Sequence, residues 1–201
     1  MSIRSLSFKL TVLAAAVAAA PGAGAIDLRP RSVAVQSGGG MGAVSAGAGW
    51  IYGAKDRFET ELFVGYIPRY DSSAAKVSLA LKENFVPWSL HLKGNVYLRP
   101  LTASFYLTTV ISKKFWVKQP DRYEKGYYVL PTKVRLNLSL GQRLEWHIPG
   151  PPAPPRKRRP RAISLYYELG TCDIYFLSAL SNSYLRPSDW LQLTLGARLT
   201  L

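Results

Sequence analysis

The chain has 201 residues, with 26 lysines and arginines against 12 aspartates and glutamates, so its formal net charge is +14 at pH 7. This length suits a single domain, and the positive charge indicates anionic partners. The single cysteine, Cys172, excludes an intrachain disulfide and a cysteine-rich metal site. The two histidines, His91 and His147, are too few and too separated for a metal centre of their own. We therefore expect no metal and no cofactor.

The first 25 residues have the three parts of a secretory signal peptide. Arg4 and Lys9 precede an apolar run over 10–20, and Ala23-Gly24-Ala25 offers small residues for cleavage. The run is too short for a membrane-spanning helix, which needs about 20 residues. We predict a cleavable signal peptide over 1–25 and a mature domain over 26–201; an uncleaved anchor or an Ala-rich core helix is the alternative. For an exported chain, lipid phosphates suit the positive charge better than nucleic acid does.

Period-two alternation is the strongest pattern after residue 25. In 191–201, leucine or alanine occupies every odd position, and Gln, Thr, Gly or Arg occupies every even one. Because successive residues of a strand point to opposite faces, this segment is a strand with one apolar and one polar face. Related patterns predict eight strands, at 42–53, 57–67, 76–90, 96–111, 132–146, 162–170, 173–181 and 190–201. The segment 173–181 departs from the pattern, since it is apolar on both parities.

Three features favour an all-β fold, an antiparallel up-and-down transmembrane β-barrel of about eight strands. The predicted strands are long enough to cross a membrane at a tilt, which takes roughly 9–11 residues. A closed barrel also satisfies every backbone group in lipid. Aromatic residues lie near the predicted strand ends, like the aromatic girdles of outer-membrane barrels: Trp50, Tyr52, Phe58, Tyr66, Trp88, Tyr97, Trp146 and Trp190. A periplasmic sandwich or a lipocalin-like barrel is the alternative.

This layout resembles the small eight-stranded outer-membrane barrels of Gram-negative bacteria. The segments ETELFVGYIPRY, PDRYEKGYY, LGQRL and YYELGTCDIY are similar to those of uncharacterised Bacteroidetes-type outer-membrane proteins. The resemblance implies an outer-membrane location, membrane lipids as partners and insertion by the barrel-assembly machinery, and it implies no particular activity. We expect a monomer. Such barrels usually end on an aromatic residue, whereas Leu201 occupies that place here.

The predicted strand order raises a conflict over sidedness. Counting from residue 42 places the connection 148–161 on the side opposite to the chain ends and the connection 112–131 on the same side as them. Connections on the periplasmic side, where the chain ends are expected, should be short. Either 112–131 is a genuine periplasmic element, or a strand was missed, for which Val33–Gln36 is the candidate.

The polar parity of these strands carries charges that would point into the barrel. The predicted interior network contains Glu59, Glu61, Lys76, Lys82, Lys133, Arg135, Glu168 and Arg198. Eight strands leave an interior only wide enough for side chains, and buried charges must be paired. We therefore predict a plugged, non-conducting barrel; passage of protons or ions is the alternative.

The densest charge run follows a proline-rich stretch over 149–155 and consists of Arg156, Lys157, Arg158, Arg159 and Arg161. One hypothesis is an outward loop that binds lipopolysaccharide or other anionic lipids through their phosphates. The alternative is a loop that is merely solvated.

A lipid A-modifying enzyme is the alternative function. Ser89-Leu90-His91 has the two-residue spacing of deacylase-type barrel enzymes, but in reversed order. Glu59 or Glu61 would orient His91 only if the strands bring them together, as a nucleophile–base pair requires. Because no recognisable nucleophile–base set is present, we favour a structural or binding barrel whose loops contact lipopolysaccharide, another envelope component or a host surface.

Overall fold

A computed structural model describes residues 29–69, 75–111, 134–150, 159–182 and 184–201. The predicted signal peptide over 1–25 lies outside these residues. The strands are β1 Ser32–Gly38, β2 Val44–Tyr52, β3 Phe58–Ile67, β4 Lys76–Phe85, β5 Leu90–Lys93, β6 Val96–Ile111, β7 Val134–His147, β8 Ala162–Cys172 and β9 Gln192–Thr200. The helices are α1 Asp173–Ser181 and α2 Pro187–Trp190, with a 3-10 turn at Ala54–Asp56.

Eight of the nine strands in the described part of the chain close into an antiparallel up-and-down barrel. Each of them pairs with its neighbour in chain order, and β1 pairs with β9, so the ring is closed. β5 lies outside the ring and forms a short hairpin with the start of β6. The predicted all-β barrel of about eight strands is confirmed, and the alternative of a two-sheet sandwich is wrong.

Pro100 marks the place where β6 changes partner. Residues 103–111 of β6 pair with β4, whereas 96–98 pair with β5. The register of β6 against β7 shifts between Arg99 and Thr102. Proline has no N–H to donate to a ladder and is therefore tolerated at such irregular positions. The predicted strand 76–90 is accordingly divided, since β4 ends at Phe85 and β5 begins at Leu90.

Two further strand predictions need correction. The predicted set lacks β1, in which Ser32, Ala34 and Gln36 are buried and Val33 and Val35 are exposed. It includes 173–181, which instead forms α1. A short run that is apolar on both parities carries no period that separates a helix from a strand. As a ninth barrel strand, this run would also have placed apolar side chains in a polar lumen.

The barrel has two ends, which we name by what lies there. At the terminal end, the Leu201 N–H donates to the Arg31 carbonyl and the Arg161 N–H donates to the Thr200 carbonyl. The connection between β7 and β8 therefore begins and ends beside both chain ends. The helical end carries α1 and α2, and the connection from β6 to β7 leaves from there. The predicted sidedness is thus wrong: the connection between β7 and β8 starts and ends at the terminal end, beside Arg31 and Leu201, and the connection between β6 and β7 starts and ends at the helical end.

The side chains of the barrel are arranged with the apolar ones outside. The outward parity forms a surface that we call the apolar belt: Val33, Val35, Val44, Leu62, Val64, Val77, Leu79, Leu81, Phe105, Leu136, Leu138, Leu140, Ile163, Leu165, Leu169, Leu193 and Leu195, all at least 37% exposed. The inward parity is mostly polar, with buried Ser, Thr, Asn and charged residues. A lipocalin-like barrel in water would need the reverse arrangement, because apolar surface is driven out of water.

Candidate functional site

Ion pairs cross the lumen of the barrel and join strands that are not neighbours. Arg143 on β7 donates from both terminal nitrogens to the two carboxylate oxygens of Glu59 on β3, at 2.9 and 2.8 Å. Arg198 on β9 donates to the same carboxylate. Lys82 on β4 donates to both oxygens of Glu168 on β8, at 2.6 and 2.7 Å. In each case the two strands are three places apart around the ring, so the pairs tie opposite walls together.

Polar groups on adjacent strands hold the carboxylates in position. The Asn84 side-chain amide donates to Glu61 at 2.8 Å, and its oxygen Oδ1 accepts a hydrogen bond from the Ser104 hydroxyl at 2.7 Å. The Ser139 hydroxyl donates to Glu168 at 3.0 Å. Buried charges are tolerated when their remaining hydrogen-bonding capacity is satisfied in this way. The lumen is consequently a packed polar core.

The charges in the middle of the lumen balance. Within the described residues, three acids face three bases there, each at most 5% exposed: Glu59, Glu61 and Glu168 against Lys82, Arg143 and Arg198. An unpaired buried charge would be very costly. Among the described residues, the middle of the lumen is therefore filled with neutralised pairs.

The predicted interior charges divide into three groups. Five of the eight lie buried in the lumen: Glu59, Glu61, Lys82, Glu168 and Arg198. Lys76 and Arg135 are only partly buried near the helical end, and Arg135 lies 3.9 Å from Asp173. Lys133 lies outside the described residues. Lys76 and Arg135 therefore lie at the rim of the helical end and are not part of the central network.

Sequence reasoning missed Arg143 and Glu145, although the signal for both was present. They continue the inward parity of β7 beyond Ser139 and Gly141. Both residues lie within the predicted strand 132–146. Extending the parity count to the end of the predicted strand would have found both residues.

A loop packs into the helical end of the barrel. Met41, between β1 and β2, is 1% exposed, and its carbonyl accepts a hydrogen bond from the Ser78 hydroxyl. The Tyr106 hydroxyl donates to the Gly39 carbonyl at 3.0 Å. A Cβ on Gly65 would lie 1.8 Å from the Met41 carbonyl oxygen, so only glycine permits this approach. The glycine-rich loop fills the lumen above the ion pairs.

The terminal end carries a stack of rings beside one buried carboxylate. His147 Nε2 lies 2.6 Å from Glu145 Oε1, and Arg99 Nε donates to Glu145 Oε2 at 3.3 Å. The Tyr97 ring stacks between His147 and His91, with centroid distances of 4.3 and 4.8 Å. The cluster joins the β5–β6 hairpin to the end of β7.

The residues of the alternative enzyme hypothesis are not brought together. His91 Nε2 lies 2.7 Å from the Gly94 carbonyl oxygen of its own hairpin. Glu59 and Glu61 point into the lumen, where arginine and asparagine side chains occupy their oxygens. Neither carboxylate is within reach of His91 as an orienting group. Ser89 and His91 thus lie on an exposed segment without the acid that the hypothesis requires.

The cationic residues of the predicted lipid-binding run lie in and beside the connection from β7 to β8. Arg156, Lys157 and Arg158 lie outside the described residues. Arg159 and Arg161 are exposed at the terminal end, where Arg29, Lys55 and Lys93 are exposed as well. The structure therefore gathers exposed positive charge at the end that carries the chain termini.

Among the described residues, no three His, Cys, Asp or Glu side chains are grouped so that they could hold a metal ion. The helices in that part of the chain are also too short or too polar to cross a membrane. No known protein family, curated protein or solved structure matches the chain. The resemblance to Bacteroidetes-type outer-membrane proteins therefore stays a prediction.

Proposed function

We propose that this protein is a transmembrane β-barrel of the outer membrane of a Gram-negative bacterium, with a structural or binding role at its two ends. The observation that carries the proposal is the polarity of the barrel, with an apolar belt outside and paired charges inside. A contiguous apolar surface of this size is unfavourable in water. Lipid covers such a belt, and the closed ring leaves no strand edge unsatisfied in the hydrocarbon.

Aromatic residues near both ends of the barrel support the proposal. Tyr52 and Phe58 stack at the terminal end with centroids 6.1 Å apart, and Phe58 contacts Phe85 at 5.1 Å. Tyr66 lies near the helical end of β3 and is 54% exposed. Aromatic rings at two levels are typical of membrane–water interfaces. They support a membrane location in which the apolar belt lies between two interfacial zones.

The filled lumen argues for a role at the ends of the barrel rather than for transport through it. The ion pairs and the Met41 loop occupy the interior. An eight-stranded barrel has no spare width for a channel once its side chains are in place. We expect no conductance steps when the protein is inserted in a planar bilayer, and stepwise currents would contradict the plugged lumen.

The basic run is proposed to bind anionic lipid headgroups in the leaflet at the terminal end. Because β1 begins and β9 ends at this end, we expect its leaflet to face the periplasm, so the proposed ligand is an anionic phospholipid rather than lipopolysaccharide. Each cation near an anionic surface contributes about 1 kcal/mol. Replacing Arg156, Lys157, Arg158 and Arg159 by glutamine should reduce binding of the folded protein to phosphatidylglycerol vesicles. Binding that is unchanged and insensitive to salt would contradict this role.

The location is tested by expressing the full chain in a Gram-negative host. We expect the protein in the outer-membrane fraction, with Ile26 as its first residue and with different gel mobility before and after boiling. The shift on boiling reports unfolding of a barrel that resists detergent. Recovery in the soluble periplasmic fraction would contradict the membrane location. Retention of residues 1–25 would contradict the cleavable signal peptide.

A further inference from the structure

The connection from β8 to β9 contains a helix, α1, whose apolar side chains are largely exposed. None of the α1 residues is buried. Ile174, Tyr175, Phe176 and Leu177 are 40–51% exposed, and Leu180 is 71% exposed. No charged residue occurs between 174 and 185. This surface is distinct from the apolar belt, because it lies on a helix beyond the strands.

The apolar residues of α1 surround its axis. Residues 174–177 are all apolar, and four consecutive residues cover a full turn at about 3.6 residues per turn. A helix that is apolar on every side is stable when it is surrounded by an apolar medium. In water, such a short helix would be marginal. We therefore expect α1 to be stabilised by contact with an apolar medium on the sides that do not contact the barrel.

The helix is continuous with the apolar belt. Phe176 of α1 and Trp190 of α2 line an outer groove of about 630 Å³ together with the belt residues Leu138, Leu140 and Leu169. The groove joins the helical surface to the wall of the barrel. The medium that contacts the apolar belt beside Leu138, Leu140 and Leu169 therefore also contacts α1. In the proposed location, that cover is lipid hydrocarbon.

Charged residues lie at both ends of the uncharged stretch. Asp173, the first residue of α1, is 3.9 Å from Arg135 at the rim of β7. After the stretch, the Arg186 N–H donates to the Asp189 carboxylate at 2.9 Å. Charged groups that flank an apolar segment are typical of a membrane interface, where they remain hydrated while the segment is immersed.

We propose that α1 is immersed in the membrane leaflet at the helical end and that the groove below it holds a lipid acyl chain. This inference rests on the proposed transmembrane location. It adds a specific lipid contact made by a helix, which fixes the depth of the barrel at that end. The occupant is hydrocarbon, because the groove is lined mostly by apolar groups and its one charged lining residue, Glu83, already accepts hydrogen bonds from the Tyr52 and Thr60 hydroxyls.

Single-cysteine labelling tests the proposal, since Cys172 is the only native cysteine. In a Cys172→Ser background, one fluorophore is attached at Leu177→Cys on α1, Leu165→Cys on the belt or Lys93→Cys in the hairpin at the terminal end. Leu177 and Leu165 are equally accessible, at 51% and 53% exposed. Each folded variant is placed in vesicles of phosphatidylcholine with or without bromine on its acyl chains. Bromine quenches only a fluorophore that is close to the hydrocarbon.

We expect the α1 label to lose as large a fraction of its fluorescence as the belt label, while the Lys93→Cys label loses little. Adding Leu180→Asp should reduce quenching at position 177 without affecting the belt label. Quenching on the belt but not on α1 would overturn the inference and leave the transmembrane location intact. Self-quenching of the α1 label between protein copies, without quenching by bromine, would overturn it in favour of a protein contact. Absence of quenching at both positions would refute the transmembrane location as well.

Discussion

Lys82 on β4 and Glu168 on β8 form a two-point ion pair across the lumen, with Nζ 2.6 and 2.7 Å from the carboxylate oxygens. The rings of Tyr106 and Tyr166 lie 5.8 and 5.6 Å from the same nitrogen. One carboxylate and two aromatic faces therefore surround the ammonium group. Because the pair joins opposite walls, it stabilises the closed ring rather than a single hairpin.

Removing one member of this pair should destabilise the barrel strongly. Glu168→Gln leaves the Lys82 charge buried without its counter-ion, which costs about 3–5 kcal/mol of the free energy of unfolding. Urea unfolding in lipid vesicles, followed by the gel shift on boiling, measures the loss. The matched control is Asp56→Asn, which removes a partner of Arg31 in an exposed pair and should cost less than about 1 kcal/mol.

The double variant Lys82→Met with Glu168→Gln separates the unpaired charge from the loss of packing. With both charges removed, we expect a smaller loss than the sum of the two single losses, since no charge is left unpaired. Strictly additive losses would show that the two residues stabilise the barrel independently and would contradict the ion pair.

Replacing Glu59 and replacing Glu61, the two glutamates of β3, should lower the free energy of unfolding by different amounts. Glu59 accepts hydrogen bonds from Arg143 and Arg198, whereas Glu61 accepts one from Asn84 and lies 3.7 Å from Arg198. Glu59→Gln therefore leaves two guanidinium groups without a full counter-charge, and we expect it to lower the free energy of unfolding more than Glu61→Gln does. Urea unfolding of the two variants under identical conditions decides the order. Equal decreases in the free energy of unfolding would contradict the role of Glu59 as the shared counter-ion of Arg143 and Arg198.

An arginine on the apolar belt should distinguish a membrane from water. Leu140 in the middle of β7 and Leu92 on β5 are similarly exposed, at 59% and 53%. Leu140→Arg should cost about 2–4 kcal/mol if it faces the centre of a bilayer. Leu92→Arg, in the hairpin beyond the ring, is the matched control and should be nearly neutral. Unfolding in vesicles measures both, and a neutral Leu140→Arg would contradict the transmembrane location.

A methyl group at Gly65 should displace the loop that contains Met41. The added Cβ would lie 1.8 Å from the Met41 carbonyl oxygen and 2.4 Å from the Ser78 hydroxyl. We expect Gly65→Ala to cost about 1–3 kcal/mol, as overpacking does, and to increase hydrogen exchange at residues 39–43. Gly150→Ala is the control, because a methyl group added there would meet nothing within 4 Å. Unchanged exchange at 39–43 would contradict the packed loop.

The sequence by itself determined the fold class and the polarity of the barrel wall. In β9, Leu193 and Leu195 point outward while Thr194 and Arg198 are buried, as the alternation predicts. This is possible because the face that a strand residue occupies depends on its parity alone, which is a local property. The same rule placed Glu59, Lys82 and Glu168 inside the barrel before any strand was paired with another.

The tertiary structure alone decided which charges meet, where the ring closes and on which side each loop lies. Arg143 contacts Glu59 from 84 positions away, and that contact depends on the register of every strand between β3 and β7. The apolar run of α1 had no period to reveal a helix, and its conformation depends on the surface beside it. Because the predicted set lacks β1 and includes the α1 segment as a strand, the predicted number of barrel strands is correct while the sides of the loops are exchanged. The face that a residue occupies follows from its neighbours in the sequence. The partner of a charge across the lumen, and the end at which a loop lies, depend on the number and register of all the strands in the ring.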